Sequence, residues 1–173
     1  MALSEKHVAI LVEDFYQEME VWYPLYRLRE AGVRVSTVGT GTKPTYPSKL
    51  GYPCTVDLAI GDVRGDRFDG VVIPGGWAPD FLRRHGAVNQ FVAELDKAGK
   101  VIACICHGGW VLCSAHILKG RRATSFSAIK DDLINAGADW VDAEVVVDGN
   151  LITARKPDDL PAFMKATLEA LGR

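Results

Sequence analysis

Residues 101–109, "VIACICHGG", contain the pattern that decides the fold. An apolar run stops at a cysteine and a histidine, and two glycines then lead into a helical pattern. An apolar run of this kind is typical of a strand that is buried on both faces of a sheet. The order strand, Cys106, His107, Gly108, Gly109, helix is the layout of a nucleophile elbow, a tight turn that lifts one side chain above a sheet edge. The likeness concerns geometry alone, because the sequence is not G-x-S-x-G.

The same alternation of strand and helix patterns extends in both directions from this stretch. Strands are predicted at 7–12, 33–39, 68–74 and 100–105, and helices at about 20–31, 87–98 and 158–171. Apolar strands that alternate with helices predict a mostly parallel sheet with helices on both faces, a three-layer α/β sandwich. Asp148 and Gly149, which lie between two β-rich runs, predict a C-terminal β-hairpin, so part of the sheet should be antiparallel.

Length and composition indicate an ordinary globular chain. The 173 residues are 48% hydrophobic and 24% charged, and we expect one domain that spans residues 1–173. The net charge of −2 offers no electrostatic reason to bind nucleic acid or an anionic membrane. No apolar run approaches the ~18 residues that a membrane helix needs. The N-terminus, "MALSEKHVAILVED", is typical of a strand rather than a signal peptide, so we expect a cytoplasmic protein.

The sequence predicts neither a metal site nor a cofactor. The cysteines form no C-x-x-C pair and the histidines no H-x-x-x-H pair, so we expect neither a zinc site nor a disulfide framework; the cysteines are Cys54, Cys104, Cys106 and Cys113. Gly39 and Gly41 follow a predicted strand, but Pro44 stands where a dinucleotide-binding fingerprint needs its third glycine, and no helix follows.

Three interpretations of Cys106 are open at this stage: a reactive thiol, a metal ligand and a buried structural cysteine. A cysteine at the start of a helix faces unpaired backbone N–H groups, which favour the thiolate and should lower its pKa. His107 can supply a base, and its backbone N–H can face an oxyanion. The alternative is a structural cysteine beside a capping histidine.

A second predicted strand end, "VVIPGGWAPD" (71–80), adds candidates for the same sheet edge. Gly75 and Gly76 form a turn without Cβ atoms, whose N–H groups can face an anion. Asp80 follows a proline at a predicted helix start, so it is either a charge that complements the helix dipole or the carboxylate that orients His107. Residues 13–24 contain four further acids, one of which could hydrogen-bond the Cys106 sulfur.

The chain resembles the PfpI family of intracellular cysteine proteases, in the superfamily of the Parkinson's-associated protein deglycase. The A-x-x-C-H-G elbow and the P-G-G-x-x-P-[DE] turn are its most specific motifs. The matching segments are "ILVEDFYQEMEVWYPLYRLREAG", "DGVVIPGGWAPD", "VIACICHG", "RRATSFSAIKDDLINAGADWVDAEVVVDGNLITAR" and "PDDLPAFMKATLEALG". The resemblance implies a flavodoxin-like sandwich, like that of class I glutamine amidotransferases. We set aside amidotransferase activity because those enzymes use a His-x-Glu near the C-terminus, whereas the last histidine here is His116.

The resemblance also implies a set of site residues. Cys106 is the nucleophile and His107 its base, and the N–H groups of Gly76 and His107 are the oxyanion donors. Glu20, four positions before Pro24, lies near the thiol, where a protonated carboxyl could donate to the thiolate and hold its pKa low. The acid of the triad is Asp80, which reaches His107 from a neighbouring subunit in a homodimer or in a hexamer built as a trimer of dimers.

The sequence departs from the family at the pocket. Relatives commonly have proline after the C-H-G motif, where this chain has Gly109 followed by Trp110, and a tyrosine of some relatives corresponds to Phe126. We expect substrate to contact Gly75, Trp77, Trp110 and Phe126.

The family's chemistry predicts a cysteine hydrolase without metal or cofactor. We expect this hydrolase to act as an intracellular peptidase, or as a deglycase or glyoxalase on 2-oxoaldehydes and their protein adducts, in protection from stress. The expected partners are a small carbonyl or peptide substrate and further copies of this chain, with no nucleic acid and no membrane. The alternative is a non-catalytic redox sensor or chaperone-like stress protein that uses an oxidisable Cys106.

Overall fold

The computed structural model describes residues 2–173, which build a central β-sheet flanked by helices. The strands are β1 His7–Val12, β2 Arg34–Gly39, β3 Thr45–Pro47, β4 Pro53–Thr55, β5 Leu58–Ala59, β6 Gly70–Ile73, β7 Val101–Ile105, β8 Arg122–Ala123, β9 Asp139–Trp140, β10 Val145–Asp148 and β11 Leu151–Ala154. The helices are α1 Glu18–Glu30, α2 Ala78–Leu82, α3 Gly86–Lys97, α4 Gly109–Ser114, α5 Lys130–Asn135 and α6 Leu160–Leu171.

The order of strands in the main sheet brings three strand ends together. Within residues 2–173 this sheet has seven strands in the order β10-β11-β7-β6-β1-β2-β5, and only the β10–β11 pair is antiparallel. Strands β1, β6 and β7 are neighbours, so their carboxyl ends lie side by side at one edge. Their side chains are almost all buried, as an apolar strand without alternation predicts.

Two groups of helices flank the sheet. Helix α1 packs against α6, while α2, α3 and α5 pack around α4. The predicted flavodoxin-like α/β sandwich is therefore confirmed. No helix formed by residues 2–173 is long and apolar enough to cross a membrane.

Helix α1 begins two residues earlier than the sequence predicts. The side chain of Gln17 caps it by accepting a hydrogen bond from the N–H of Glu20, at 3.1 Å. Pro24 therefore lies inside the helix rather than in its first turn. A proline has no N–H to donate to the preceding turn, but the buried Val21, Leu25 and other core residues hold the helix against the sheet.

The C-terminal hairpin is confirmed with a shift of one residue. Asp148 pairs with Leu151, so the two-residue turn is Gly149 and Asn150 rather than Asp148 and Gly149. Gly149 has a φ of +60°, which glycine adopts without strain.

Candidate active site

Cys106 lies on a tight turn between β7 and α4. Strand β7 ends at Ile105, and Cys106 opens a single 3₁₀ turn, Cys106–Gly108. The φ of Cys106 is +62°, a left-handed conformation that is strained for any residue except glycine. A Cβ on Gly108 would lie 2.7 Å from the carbonyl oxygen of Ile73 and 2.8 Å from Cys104 Sγ, so the turn excludes a side chain there. The local geometry is that of the predicted elbow.

Two ionisable side chains lie beside the thiol. Cys106 Sγ is 3.3 Å from His107 Nδ1. Glu20, in the first turn of α1, is completely buried, and its Oε2 accepts a hydrogen bond of 2.6 Å from the N–H of Gly75. The other oxygen, Oε1, makes no hydrogen bond within residues 2–173.

The Gly75–Gly76 turn is pressed against this cluster and against the loop after β1. A Cβ on Gly75 would lie 2.7 Å from both Cys106 Cβ and Glu20 Oε2, so only glycine fits. Gly76 has a φ of +76° and pairs with Tyr16 in an isolated antiparallel bridge. This packing holds the turn against Cys106, and the backbone N–H groups of His107 and Gly76 act to lower the pKa of the Cys106 thiol. The same two N–H groups can stabilise an oxyanion.

Aromatic rings surround the imidazole of His107. The ring of Phe126 stacks on it with a centroid distance of 4.9 Å and an interplanar angle of 27°. Trp110 meets it edge-on at 5.2 Å, and Trp77 lies at 6.1 Å. A backbone hydrogen bond explains part of this arrangement, because the N–H of Phe126 donates to the carbonyl oxygen of Cys106 at 3.2 Å.

A cavity of about 230 Å³ opens above Cys106. Its lining residues are Gln17, Glu20, Lys49, Gly76, Trp77, Cys106, His107, Phe126 and Pro157. Within residues 2–173, no group of three His, Cys, Asp or Glu side chains is placed to hold a metal ion.

Comparison with known proteins identifies the architecture. Residues 6–170 match the sequence pattern of the DJ-1/PfpI family. The chain belongs to the DJ-1/PfpI family. It is similar to a deglycase of Pyrococcus abyssi, with 45% identity over 164 residues that cover 95% of this chain and 98% of the relative. General stress protein 18 of Bacillus subtilis is 38% identical over 168 residues, covering 96% and 98%.

Among solved structures, a two-domain protein of Anabaena variabilis with DJ-1/ThiJ/PfpI-like and ferritin-like domains resembles the chain with a TM-score of 0.94. The two are 43% identical, and the match covers 96% of this chain and 48% of that protein. The DJ-1/PfpI fold of this chain is thus the fold of one domain of that larger protein.

The electrostatics of this DJ-1/PfpI site correct one expectation. Burial raises the pKa of Glu20 to about 7. Burial, and then the charge of Glu20, raise the pKa of Cys106 to about 12, whereas the N–H groups of His107 and Gly76 act in the opposite direction. The expectation that the helix start lowers this pKa is wrong, because burial of the thiol and the charge of Glu20 outweigh the effect of the N–H groups.

Burial also lowers the pKa of His107, and the nearby charge of Lys49 lowers it further. The imidazole is therefore neutral near pH 7, which is the form that can accept a proton from the thiol. Lys49 also lines the cavity.

Asp80 occupies the first turn of α2 and does not line the cavity above Cys106. Its carboxylate pairs with Arg84, and its side chain is 41% exposed. Within residues 2–173 it makes no hydrogen bond to His107. The structure of one chain thus brings Cys106, His107, Glu20 and Gly76 together but leaves Asp80 at the surface.

Two of the four residues expected to contact substrate do not line the cavity above Cys106. Gly75 packs beneath the cavity, between Cys106 and Glu20, and does not line it. Trp110 lies beside His107 rather than on the cavity wall, because its indole N–H donates to Asp132 Oδ2 at 2.8 Å. Trp77 and Phe126 do line the cavity.

Three residues of the site were not predicted from the sequence: Gln17, Pro157 and Asp132. Pro157 follows β11, whose carboxyl end lies at the same sheet edge as that of β7. The predicted hairpin therefore contained a usable signal for Pro157. No sequence signal pointed to Gln17, the residue before α1, or to Asp132, whose role depends on how α5 packs against α4.

Proposed function

We propose that this chain is a cysteine-dependent hydrolase of the PfpI type that acts on 2-oxoaldehydes and their protein adducts as a deglycase or glyoxalase, or on peptides. The observation that carries the proposal is the strained Cys106, whose sulfur lies 3.3 Å from Nδ1 of His107 and whose thiolate form is favoured by the backbone N–H groups of His107 and Gly76. The name of the Pyrococcus abyssi relative, a deglycase, supports the same chemistry.

The first chemical step is attack of sulfur on a carbonyl carbon. Nδ1 of His107 accepts the thiol proton, a C–S bond forms, and the π-electron pair of the carbonyl moves onto oxygen. The N–H groups of Gly76 and His107 hold the resulting oxyanion, which is the role proposed for them. With a 2-oxoaldehyde the product of this step is a hemithioacetal on Cys106, and protonated His107 returns its proton to the oxygen.

Glu20 decides where the negative charge of the pair lies. With Oε2 occupied by the N–H of Gly75, a proton on this carboxyl sits on Oε1. We propose that Glu20 is protonated when the thiolate forms, so that transfer of the thiol proton to His107 leaves one negative charge, on sulfur, beside the carboxyl. The N–H groups of Gly76 and His107 favour that thiolate.

The shape of the cavity favours a small electrophile. An extended peptide needs a groove or an exposed sheet edge along which its backbone can lie. Here a pocket of about 230 Å³ is closed on one side by Trp77 and on another by Phe126. A free 2-oxoaldehyde, or an adduct at the tip of a side chain, suits this pocket better than a peptide bond does.

We also propose that the whole chain, residues 1–173, works as a single cytoplasmic domain in a homo-oligomer, either a homodimer or a trimer of dimers. An apolar groove of about 620 Å³, lined by Trp22, Tyr26, Leu50, Tyr52 and neighbouring residues, supports the assembly. Leu50 is 82% exposed, which is unusual for leucine and suits a subunit contact. In such an assembly Asp80 of a neighbouring subunit completes a triad with His107.

The test is substitution of the nucleophile. We expect Cys106→Ala to abolish methylglyoxal consumption and release of model adducts, because no other thiol faces the cavity among residues 2–173. Cys113→Ala is the matched control, since Cys113 is half-buried on α4 and should leave turnover unchanged. Turnover that survives in Cys106→Ala contradicts the proposal. Assays of a peptide substrate in parallel identify which electrophile the wild type accepts.

A second candidate is a non-catalytic redox sensor or chaperone-like stress protein. The name of the Bacillus subtilis relative, general stress protein 18, favours it, and the unpartnered Oε1 of Glu20 can donate to a sulfinate on Cys106. Intact mass after peroxide treatment separates the two candidates. Stoichiometric oxidation of Cys106 in a protein without turnover supports the sensor.

A further inference from the structure

We propose that Trp110, anchored by Asp132, is the positioning residue that holds the imidazole of His107 toward the Cys106 sulfur. In serine and cysteine hydrolases a carboxylate usually orients the catalytic imidazole. Within residues 2–173 no carboxylate hydrogen-bonds His107, so aromatic contacts set the plane of the ring. The catalytic consequence rests on the proposed function, whereas the orientation of the ring does not.

The rings of Phe126 and Trp110 confine the imidazole from two directions. Phe126 lies nearly parallel to it, at 27° and 4.9 Å. Trp110 approaches at 66° and 5.2 Å, the edge-to-face arrangement that aromatic pairs prefer. A rotation of the imidazole that moved Nδ1 away from the sulfur would have to displace one of these rings.

Trp110 is itself held on both sides. Its indole N–H donates to Asp132 Oδ2 at 2.8 Å, which ties the second residue of α4 to α5. The guanidinium of Arg83 lies 5.9 Å from the ring centroid, and Arg83 Nε donates to Ser114 Oγ at 2.9 Å. Because α4 begins directly after the elbow, Trp110 is anchored in the same segment that carries Cys106 and His107.

The contact with Trp110 also has an electrostatic consequence. A proton acceptor must be neutral, and burial of the imidazole among rings disfavours its charged form. The other titratable groups near His107 are Glu20, Lys49 and the Cys106 thiol. The guanidinium of Arg83 lies over the ring of Trp110. Removal of the indole admits water to one side of the ring, so the imidazolium should become more favourable.

The experiment compares Trp110→Ala with Trp110→Phe. Three readouts are used: the kcat and KM for methylglyoxal, the rate of Cys106 alkylation by iodoacetamide over a pH series, and the NMR titration of the His107 ring. For Trp110→Ala we expect a fall in kcat of ~10–100-fold with KM changed less than about twofold, slower alkylation, and a His107 titration moved to higher pH. Trp110→Phe keeps a ring against His107 and should retain kcat within about threefold.

Asp132 separates anchoring from general packing. Asp132→Asn keeps an oxygen that accepts from the indole N–H, whereas Asp132→Ala does not. We expect Asp132→Ala to shift kcat and the His107 titration in the same direction as Trp110→Ala, and Asp132→Asn to stay near wild type. Trp140→Phe is the matched control, since Trp140 is half-buried and donates to Ser125 Oγ without contacting His107.

The outcomes distinguish this proposal from the proposed function. If wild type turns over no carbonyl substrate, the proposed function fails, and the alkylation profile and the His107 titration still test the role of Trp110. If Trp110→Ala lowers thermal stability but leaves both of these readouts at wild-type values, Trp110 is only a packing residue and the proposal is overturned. The proposal is equally overturned if Trp140→Phe moves the readouts as far as Trp110→Ala does.

Discussion

At the scale of single residues, Glu20 and Cys106 form a coupled pair in which burial penalises any charge. Glu20 has no exposed surface, and its pKa of about 7 means that the folded protein binds its proton more tightly than the unfolded chain does. The buried carboxyl thus costs stability at neutral pH. A side chain that only supported the fold would be more favourable at this position if it were apolar. The presence of a buried carboxyl therefore suits a functional role.

Replacement of Glu20 by glutamine should change how stability depends on pH. A carboxyl whose folded pKa is raised stabilises the fold below its ordinary pKa of 4.5, and this contribution is lost as the pH rises through about 7. The difference corresponds to roughly 3 kcal/mol at most. Glutamine does not ionise and can still accept from the N–H of Gly75. We therefore expect Glu20→Gln to unfold at higher urea concentration than wild type above pH 7 and to lose that advantage at acidic pH.

Urea unfolding of both proteins at acidic and alkaline pH checks this expectation. Glu18→Gln is the matched control, because Glu18 lies in the same helical turn and its pKa is lowered, chiefly by hydrogen bonding that outweighs burial. Its substitution should shift stability in the opposite sense. Parallel pH profiles for wild type and Glu20→Gln would contradict the raised pKa.

At the scale of elements, the loop between β1 and α1 connects the Gly75–Gly76 turn to the β3–β4 hairpin. The backbone of Tyr16 bridges to Gly76 on one side and to Ser48 on the other. Its buried hydroxyl donates to the carbonyl oxygen of Tyr52 at 2.7 Å and accepts from Trp22 Nε1 at 3.1 Å. The Gly75–Gly76 turn and the β3–β4 hairpin are therefore connected through one residue, Tyr16, whose backbone contacts both and whose hydroxyl reinforces the contact with the hairpin.

Removal of this hydroxyl should loosen that connection. Tyr16→Phe leaves the Trp22 N–H and the Tyr52 carbonyl without their partner, so we expect a loss of about 1–2 kcal/mol in the free energy of unfolding. Tyr23→Phe is the control, since the Tyr23 hydroxyl makes no hydrogen bond within residues 2–173 and the ring is partly exposed. Chemical denaturation of both variants measures the difference, and equal stabilities would show that the hydroxyl carries no net energy.

At the scale of the whole molecule, the position of Asp80 raises the question of assembly. Within one chain Asp80 pairs with Arg84 at the surface, while the imidazole of His107 lies among aromatic side chains. Two proposals for the residue that orients the imidazole can therefore be tested separately: Trp110 within the chain and Asp80 from a neighbouring subunit.

Complementation between subunits tests the role of Asp80. If Asp80 acts across an interface, Asp80→Asn and Cys106→Ala should each be inactive alone. Random mixing of the two in dimers should then restore about a quarter of wild-type activity, because half of the dimers contain one intact site. Full activity of Asp80→Asn alone would assign the orientation of His107 to Trp110. Two inactive variants that do not complement would place Asp80 and Cys106 in the same chain's site.

The sequence by itself determined the order of strands and helices, the parallel core of the sheet, the C-terminal hairpin and the elbow at Cys106. These features were predictable because each depends on a local pattern: apolar runs, helix periodicity, and glycines where the backbone is crowded or left-handed. Recognition of the DJ-1/PfpI family from the C-H-G and P-G-G motifs is likewise confirmed. The roles predicted for Cys106, His107, Glu20 and Asp80 stay predictions.

Only the tertiary structure decided the properties that depend on burial and on contacts between distant segments. It placed Glu20 where desolvation raises the pKa of both Glu20 and Cys106, turned Trp110 from the cavity toward Asp132, and added Gln17 and Pro157 to the cavity wall. A local pattern shows which residues end at a sheet edge. It does not show how deeply each is buried or which side chain from another element lies against it, and these two quantities set the charge and the orientation of the reacting groups.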